Sequence, residues 1–153
     1  MTVIKKLNDL DKILSKLSRK KILSLVPTMG SLHKGHISLI KSALKYSDDV
    51  WVSIFVNPTQ FNDINDYKKY PVNFKEDINI IKSIDQNINI FLPSIDDIYG
   101  KKIIRDKFNF DGIDKILEGI KRPGHFDGVA TIVKKLFEIF NPNFVFFGEK
   151  DFQ

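Results

Sequence analysis

The sequence contains no cysteine among its 153 residues. A disulfide framework and a thiolate zinc site are therefore both excluded. Long hydrophobic runs are missing as well, since no apolar stretch approaches the roughly 20 residues that a membrane-spanning helix needs. The first residues also lack the apolar core of a signal peptide. These absences predict a cytoplasmic protein without a membrane partner.

Arginine is scarce, being present only as Arg19, Arg105 and Arg122, although Lys and Arg together number 24 against 19 acidic residues. The resulting net charge of +5 raises the question of a nucleic-acid partner. The lysines are scattered along the chain and do not form a stripe on one face. We therefore interpret the charge as solvated surface and expect no nucleic-acid partner.

The familiar phosphate-binding loops are absent, but a strand, a glycine loop and a helix follow one another early in the chain. The apolar run 22–26 predicts a buried strand, and the apolar spacing within 37–44 predicts a helix that begins near Gly35 or His36. Gly30 and Gly35 have the spacing of a P-loop, yet His36 stands where that motif needs lysine. The three-glycine dinucleotide pattern is missing too.

Two of the three histidines, His33 and His36, fall in this loop. A helix N-terminus presents free backbone N–H groups and the positive end of its dipole to an anion. Histidine rings at the same place can donate to phosphate oxygens. The alternative is a pair of turn glycines with ordinary surface histidines. Two histidines in one glycine loop favour the phosphate site over that alternative.

A second strand is predicted by the apolar, β-branched run 50–56, which is typical of a strand buried on both faces. With the first strand it forms a right-handed parallel βαβ unit. Ligands in such sheets bind beyond the carboxyl ends of the strands, where the histidine loop and residues 57–61 both lie. Asn57 and Gln60 thereby become candidates for holding a polar substrate, although an Asn-Pro pair alone indicates only a turn.

The rest of the chain is predicted to complete one domain without a boundary or a repeat. The predicted elements are a helix over 10–17 capped by Asn8, an irregular stretch over 63–71, a helix from the capping box Asn73/Glu76 to Ile84, a strand over 88–92, a surface loop over 96–107, a helix over 129–140 and a strand over 144–147.

Two later stretches carry further candidate ligand groups. Arg122 and His125 lie in a glycine-rich loop before the helix 129–140, where they can donate to phosphate or carboxylate. After the last strand, Gly148 allows a ligand close to the backbone, Lys150 is a point charge for phosphate, and Asp151 can accept from ribose hydroxyls.

Four pieces of this sequence, taken together, resemble the pantothenate synthetase (pantoate–β-alanine ligase) family. They are 27–36 (PTMGSLHKGH), 53–61 (SIFVNPTQF), 122–129 (RPGHFDGV) and 147–153 (FGEKDFQ). The resemblance extends over the whole chain but covers only about the first half of a family member. It implies an α/β fold, with a Rossmann-like parallel sheet and helices on both faces, of the His-x-Gly-His nucleotidyltransferase type. Residues 1–153 would form the N-terminal ATP- and pantoate-binding domain, with the C-terminal lid domain absent.

The resemblance also implies a reaction. Pantoate attacks the α-phosphate of Mg-ATP to give pantoyl adenylate and pyrophosphate, and the amine of β-alanine then displaces AMP. Such chemistry needs positioning and charge neutralisation more than a nucleophilic side chain. The implied small-molecule partners are ATP, pantoate and β-alanine with Mg²⁺, and the implied assembly is a homodimer.

By the same resemblance, roles pass to the residues that match the family motifs. His33, His36 and Lys150 are assigned to catalysis, Gln60 and Asn57 to pantoate and β-alanine, Arg122 and His125 to organising the site, and Asp77 to Mg²⁺. ATP is assigned to Met29, Gly30, Ser31, Leu32, His33, Lys34, Gly35, His36, Gly148, Glu149, Lys150 and Asp151.

Three family features are absent from this sequence. They are the glutamine that should follow Gln153, a Lys-Met-Ser-Ser-Arg-like loop and the C-terminal lid. Closure over the phosphates and exclusion of water are expected to be incomplete, so catalysis by this chain alone is expected to be impaired or lost. Two alternatives remain, another His-x-Gly-His nucleotidyltransferase and a non-catalytic module that binds nucleotide or RNA.

Overall fold

The computed structural model describes residues 1–18 and 20–149. Predictions for Lys150 and Asp151 lie outside these described residues. Within them, one parallel sheet has the strand order β1-β4-β3-β2-β5. The strands are β1 (Val3–Ile4), β2 (Leu23–Thr28), β3 (Asp49–Ile54), β4 (Asn89–Phe91) and β5 (Phe144–Val145).

Helices connect these strands. They are α1 (Leu7–Leu14), α2 (Lys34–Tyr46), α3 (Ile64–Lys69), α4 (Phe74–Ile84), α5 (Ile95–Tyr99), α6 (Glu118–Lys121) and α7 (His125–Phe140), with 3₁₀ turns at Pro58–Gln60 and Ile113–Lys115. No helix within 1–18 and 20–149 is long and apolar enough to cross a membrane.

The two faces of the sheet are both covered by helices, as predicted. Alternate strand residues divide between two buried clusters, with Leu25 and Trp51 in one and Val26 and Val52 in the other. Helices α1, α5 and α7 contribute to the first cluster, and α2 and α4 to the second. Full burial of each large apolar side chain stabilises the fold by about 1.5–3 kcal/mol.

The strand order places a switch point beside β2. From β2 the chain adds β3 and then β4 on one side, whereas β5 pairs with β2 on the other side. In open parallel sheets, ligands bind in the crevice at the carboxyl ends of the strands where the order reverses. The histidine loop follows β2 and the stretch 146–149 follows β5, so both stand at this crevice.

Strand β2 is longer than the predicted 22–26 and includes Pro27, which pairs with Ser53 of β3. The backbone of Leu25 faces β5, where its carbonyl accepts from Phe146 N at 3.0 Å. Pro27, two residues further along, faces the same side, beyond the last pair between β2 and β5. Its missing N–H therefore removes no bond to β3.

Helix boundaries differ from prediction in several places. The predicted cap Asn8 is wrong, because α1 begins at Leu7 after Lys6 and ends at Leu14. The stretches predicted as irregular over 63–71 and as loop over 96–107 contain α3 and the end of α5. Helices of five or six residues are too short to show a helical period, and their signals were the caps Asp63 and Ser94 alone.

The helix predicted from Asn73 is confirmed as α4. The Asn73 side chain accepts the backbone N–H of Glu76 at 3.2 Å and donates to its carboxylate at 2.8 Å. The long helix predicted over 129–140 begins four residues earlier, at His125, and ends at Phe140 as expected.

Candidate functional site

The histidine loop, residues 29–36, turns sharply after β2 and includes the first turn of α2. Gly30 has a φ of +82° and Ser31 a φ of +51°, both in the left-handed region that favours glycine. A Cβ atom on Gly30 would lie 2.9 Å from Oδ2 of Asp77. Glycine is therefore needed at position 30 for conformation and for space.

A carboxylate from α4 holds this loop. Oδ2 of Asp77 accepts the N–H of Ser31 at 3.0 Å, and Oδ1 accepts the N–H of Leu32 at 2.8 Å. Asp77 is only 2% exposed, so these bonds offset much of the cost of burying its charge. Burial and, secondly, the charge of Asp77 raise the pKa of the nearby Tyr70.

The two histidines cap helix α2 together. Nδ1 of His33, the N-cap residue, accepts the N–H of Gly35 at 3.1 Å. Nδ1 of His36 accepts the N–H of His33 at 3.3 Å, and the two ring centroids are 4.1 Å apart. A neutral imidazole that accepts at Nδ1 carries its proton on Nε2. The Nε2–H of each ring then lies on the far side of the ring from the backbone N–H that Nδ1 accepts.

The prediction of free backbone N–H groups in this loop is wrong for most of it. Five amides each donate to an acceptor within the protein, namely those of Gly30, Ser31, Leu32, His33 and Gly35. A sequence pattern shows a glycine loop but not the side-chain acceptors that the fold brings to it. Contacts to a phosphate at this loop would come from side chains, the two imidazoles and the exposed Lys34.

The loop after β3 is built around the buried amide of Asn57, which is 1% exposed. Its Nδ2 donates to Gln60 Oε1 at 3.1 Å and to the Gly128 carbonyl at 2.9 Å. Its Oδ1 accepts from Thr59 N at 3.3 Å, Thr59 Oγ1 at 3.0 Å and the Tyr99 hydroxyl at 2.5 Å. These contacts favour a positioning role, and direct binding of substrate by Asn57 stays a prediction.

Gln60 connects this loop to the histidine loop. Its Oε1 accepts from Asn57, which fixes the amide so that Nε2 points the other way and donates to Met29 Sδ at 2.9 Å. Nε2 carries two N–H groups. One of them donates to Met29, and the other has no partner among the described residues and can bind a ligand. The structure brings together Gln60, predicted to hold pantoate, and Met29, predicted to line ATP.

Helix α7 packs directly on the Asn57 loop because Gly128 has no side chain. A Cβ atom there would lie 2.3 Å from the carbonyl oxygen of Thr59. At the start of the same helix, Nδ1 of His125 donates to the carbonyl of Gln60 at 2.8 Å. Burial lowers the pKa of His125 and outweighs the bond to the Gln60 carbonyl, which by itself raises that pKa; the charge of Arg122 lowers it further.

A family model described as pantoate-beta-alanine ligase matches residues 2–153. The chain belongs to this family. Among curated relatives, the pantothenate synthetase of Flavobacterium psychrophilum is 53% identical over 137 residues, which is 90% of this chain and 49% of the relative. The pantothenate synthetase of Buchnera aphidicola subsp. Schizaphis graminum is 49% identical, and the matched region covers 100% of this chain and 54% of that relative. The chain thus spans about half the length of these relatives.

Solved structures of the pantoate–β-alanine ligase family have the same fold. The enzyme of Francisella tularensis, solved with beta-gamma ATP and β-alanine, has a TM-score of 0.89 and 44% identity over 95% of this chain and 55% of its own. The pantothenate synthetase of Thermus thermophilus has a TM-score of 0.88 and 34% identity, and covers 99% of this chain and 53% of its own. These matches confirm the predicted Rossmann-like α/β fold.

The remaining predicted site residues belong to neither the histidine loop nor the Asn57 loop. Gly148 and Glu149 follow β5 at the switch point, whereas Arg122 is an exposed residue at the end of α6. Lys150 and Asp151 are outside the described residues, so their predicted contacts with ATP stay predictions.

Sequence reasoning missed two residues that build the site. Tyr99 donates to Asn57 Oδ1, and its ring lies 5.4 Å from Lys135 Nζ of α7. Arg105 Nη1 donates to the Gly124 carbonyl at 3.0 Å, just before α7. Both belong to a stretch without hydrophobic period or motif, and no sequence signal marked them.

Proposed function

We propose that this chain supplies the ATP- and pantoate-binding part of a ligase that joins pantoate to β-alanine through pantoyl adenylate. The observation that supports this most is the pairing of two imidazole donors with the Gln60 amide at adjacent strand ends. The family match and the F. tularensis structure solved with beta-gamma ATP and β-alanine support the same substrates.

The first step needs charge neutralisation on the triphosphate. A carboxylate oxygen of pantoate attacks the α-phosphorus and forms an O–P bond, while the bond from that phosphorus to the α–β bridging oxygen breaks and pyrophosphate leaves. The Nε2–H groups of His33 and His36 would donate to phosphate oxygens as negative charge shifts toward the leaving group. Because each ring is already held by a bond at Nδ1, little orientational freedom is lost when phosphate binds.

Pantoate would be held by the remaining N–H of Gln60. A carboxylate and hydroxyls accept hydrogen bonds, and a neutral amide can bind them without trapping the carboxylate as a strong ion pair. The bond from Asn57 prevents the Gln60 amide from flipping its oxygen toward the substrate. In the second step the neutral amine of β-alanine attacks the acyl carbon, the C–N bond forms, the bond from that carbon to the phosphate oxygen of AMP breaks, and the amine loses a proton as AMP leaves.

Magnesium fits this site only as a companion of the triphosphate. No group of three His, Asp or Glu residues that could hold a metal ion occurs in the described part of the chain. Mg²⁺ is commonly held by one or two carboxylates together with substrate phosphates. Asp77, assigned to Mg²⁺ by resemblance, has both oxygens bonded to backbone N–H groups. That assignment stays a prediction.

Calorimetry of Mg-ATP binding tests the proposal. We expect the 153-residue chain to bind ATP, and His36→Ala to bind it at least about tenfold more weakly. Lys45→Ala removes a positive charge from the last turn of the same helix and should bind as the unaltered chain does. Equal binding by the chain and His36→Ala would contradict the assignment of His36.

The adenylation step has its own assay. Pantoate-dependent exchange of labelled pyrophosphate into ATP reports formation of pantoyl adenylate without requiring β-alanine. Exchange that disappears in Gln60→Ala, with ATP binding retained, would support the assignment of Gln60 to pantoate. ATP binding with no exchange in the unaltered chain would show that this chain binds the nucleotide without catalysing adenylation.

A homodimer and a cytoplasmic location complete the proposal. Several apolar side chains between α5 and α7 are more than half exposed, namely Ile103, Ile104, Leu117 and Ile120, and their burial would favour association. Light scattering after size-exclusion chromatography measures the assembly directly. A monomer over the whole accessible concentration range would exclude the dimer.

A further inference from the structure

Asp77 makes an unusual pair of contacts for a buried acid. Its two carboxylate oxygens bond to successive backbone N–H groups, those of Ser31 and Leu32, at 3.0 and 2.8 Å. The two partners are more than forty positions away in sequence, and they precede β3 whereas Asp77 follows it. Asp77 is therefore a tertiary link between α4 and the histidine loop.

The backbone of the loop explains why an anion stands there. In the turn that contains Gly30 and Ser31, the successive N–H groups of Ser31 and Leu32 both point to one carboxylate, and such concave groups of N–H donors bind anions. In a P-loop the anion is a phosphate. Here the place is filled by a carboxylate of the protein itself, only 2% exposed. A nucleotide phosphate is thereby directed to the imidazole side of the loop.

The same contacts argue against direct binding of a metal by Asp77. A magnesium-binding carboxylate faces water and phosphate, whereas this one is enclosed by backbone, with Oδ2 only 2.9 Å from where a Cβ of Gly30 would lie. Glu76, its neighbour in the chain, is exposed and bonds to Asn73, so α4 presents one acid to solvent and one to the loop.

We propose that Asp77 is a positioning residue, which holds the histidine loop through two amides so that both imidazoles face the nucleotide, and that it is not a ligand of magnesium. The expected effect of Asp77 on ATP binding rests on the proposed function. The two hydrogen bonds by which Asp77 fixes the loop do not depend on that function. Leu32 is followed directly by His33, so releasing its amide loosens the cap that orients both rings.

The decisive variant is Asp77→Asn. An asparagine side chain has one acceptor oxygen, so it can keep only one of the two amides and turns an NH₂ group toward the other. We expect hydrogen exchange of the Ser31 or Leu32 amide to accelerate at least about tenfold, since a bond to a charged group is lost. Glu76→Gln removes the same charge one position away and should leave both amides protected.

Nucleotide binding with and without the metal separates the two roles. A positioning residue affects the loop under both conditions, so Asp77→Asn should weaken ATP binding by a similar factor with Mg²⁺ and with a chelator present. Weakening only with Mg²⁺ would overturn the proposal and favour a metal ligand. If the unaltered chain binds no ATP, the proposed function fails, and the amide exchange alone still tests the hold on the loop.

A measurement on the unaltered chain covers the case in which Asp77→Asn does not fold. The carboxyl ¹³C resonance of Asp77 can be followed by NMR while Mg²⁺ is added to the ATP-free and ATP-bound chain. We expect slow exchange of the Ser31 and Leu32 amides and no specific shift of this resonance with Mg²⁺. Rapid exchange of both amides, or a saturable shift of the carboxyl resonance, would overturn the proposal.

Discussion

Nδ1 of His36 accepts the backbone N–H of His33, while Nδ1 of His33 accepts the N–H of Gly35, so the two histidines form a reciprocal cap on α2. Under the proposed function, capping with imidazoles combines two tasks. One ring nitrogen satisfies a backbone donor at the helix N-terminus, and the other carries an N–H that can donate to an anion at the positive end of the helix dipole.

The two tasks of His33 can be separated by substitution. His33→Ala should lower the free energy of unfolding by about 1 kcal/mol, because a helix loses its N-cap acceptor. His33→Asn supplies a preferred cap residue and should cost less than about 0.5 kcal/mol, yet it removes Nε2. Urea denaturation measures the first effect and ATP calorimetry the second. If His33→Asn bound ATP as the unaltered chain does, the ring would have no role in the phosphate site.

The hydroxyl of Tyr99 is expected to contribute measurably to the free energy of unfolding. Tyr99→Phe deletes the donor 2.5 Å from Asn57 Oδ1 in a buried network, and we expect a loss of about 1 kcal/mol in the free energy of unfolding. Tyr46→Phe makes the same chemical change at a side chain that is 63% exposed. It should fall within about 0.5 kcal/mol of the unaltered chain. Equal effects in denaturation would mean that the Asn57 network does not depend on Tyr99.

Gly128 is expected to tolerate no side chain. In Gly128→Ala the new Cβ would lie 2.3 Å from the Thr59 carbonyl oxygen, so α7 must move away from the loop that holds Asn57 and Gln60. Such overpacking costs about 1–3 kcal/mol, although alanine is the better helix former. Thermal and urea unfolding measure the cost. A stabilised Gly128→Ala variant would show that helix propensity outweighs the contact.

The lowered pKa of His125 predicts that the stability of the fold depends on pH. Burial lowers its pKa in the folded chain below the ordinary value of 6.5. As the pH falls below 6.5, the unfolded chain therefore takes up a proton that the folded chain resists, and the free energy of unfolding decreases until the folded pKa is passed. His125→Gln removes this titration and should flatten the difference between about pH 7 and pH 5. The comparison uses urea denaturation at each pH. Parallel pH profiles of the free energy of unfolding for the two chains would contradict a lowered pKa of His125.

Much of this protein can be predicted from the order of its residues. The apolar runs of β2 and β3 and the helical spacing of α2 and α7 indicate a parallel α/β sheet, because burial on both faces demands continuous apolar strands. Four short motifs are enough to identify the family. Local chemistry also marks the Asn73 cap, since a cap and its partners are adjacent in the chain.

Tertiary structure decides which hydrogen-bonding groups of the candidate site already have partners within the protein. The pattern around Gly30 predicts free amide donors, but Asp77, from a helix that follows β3 in the sequence, accepts from two of them. Tyr99 and Gly128 orient Asn57 from distant segments in the same way. Hydrogen bonds between remote residues leave no periodic signal in a single sequence, because what matters is where the fold brings each acceptor. Residue order determined which groups are present at the strand ends, and packing determined which of them are still available to a ligand.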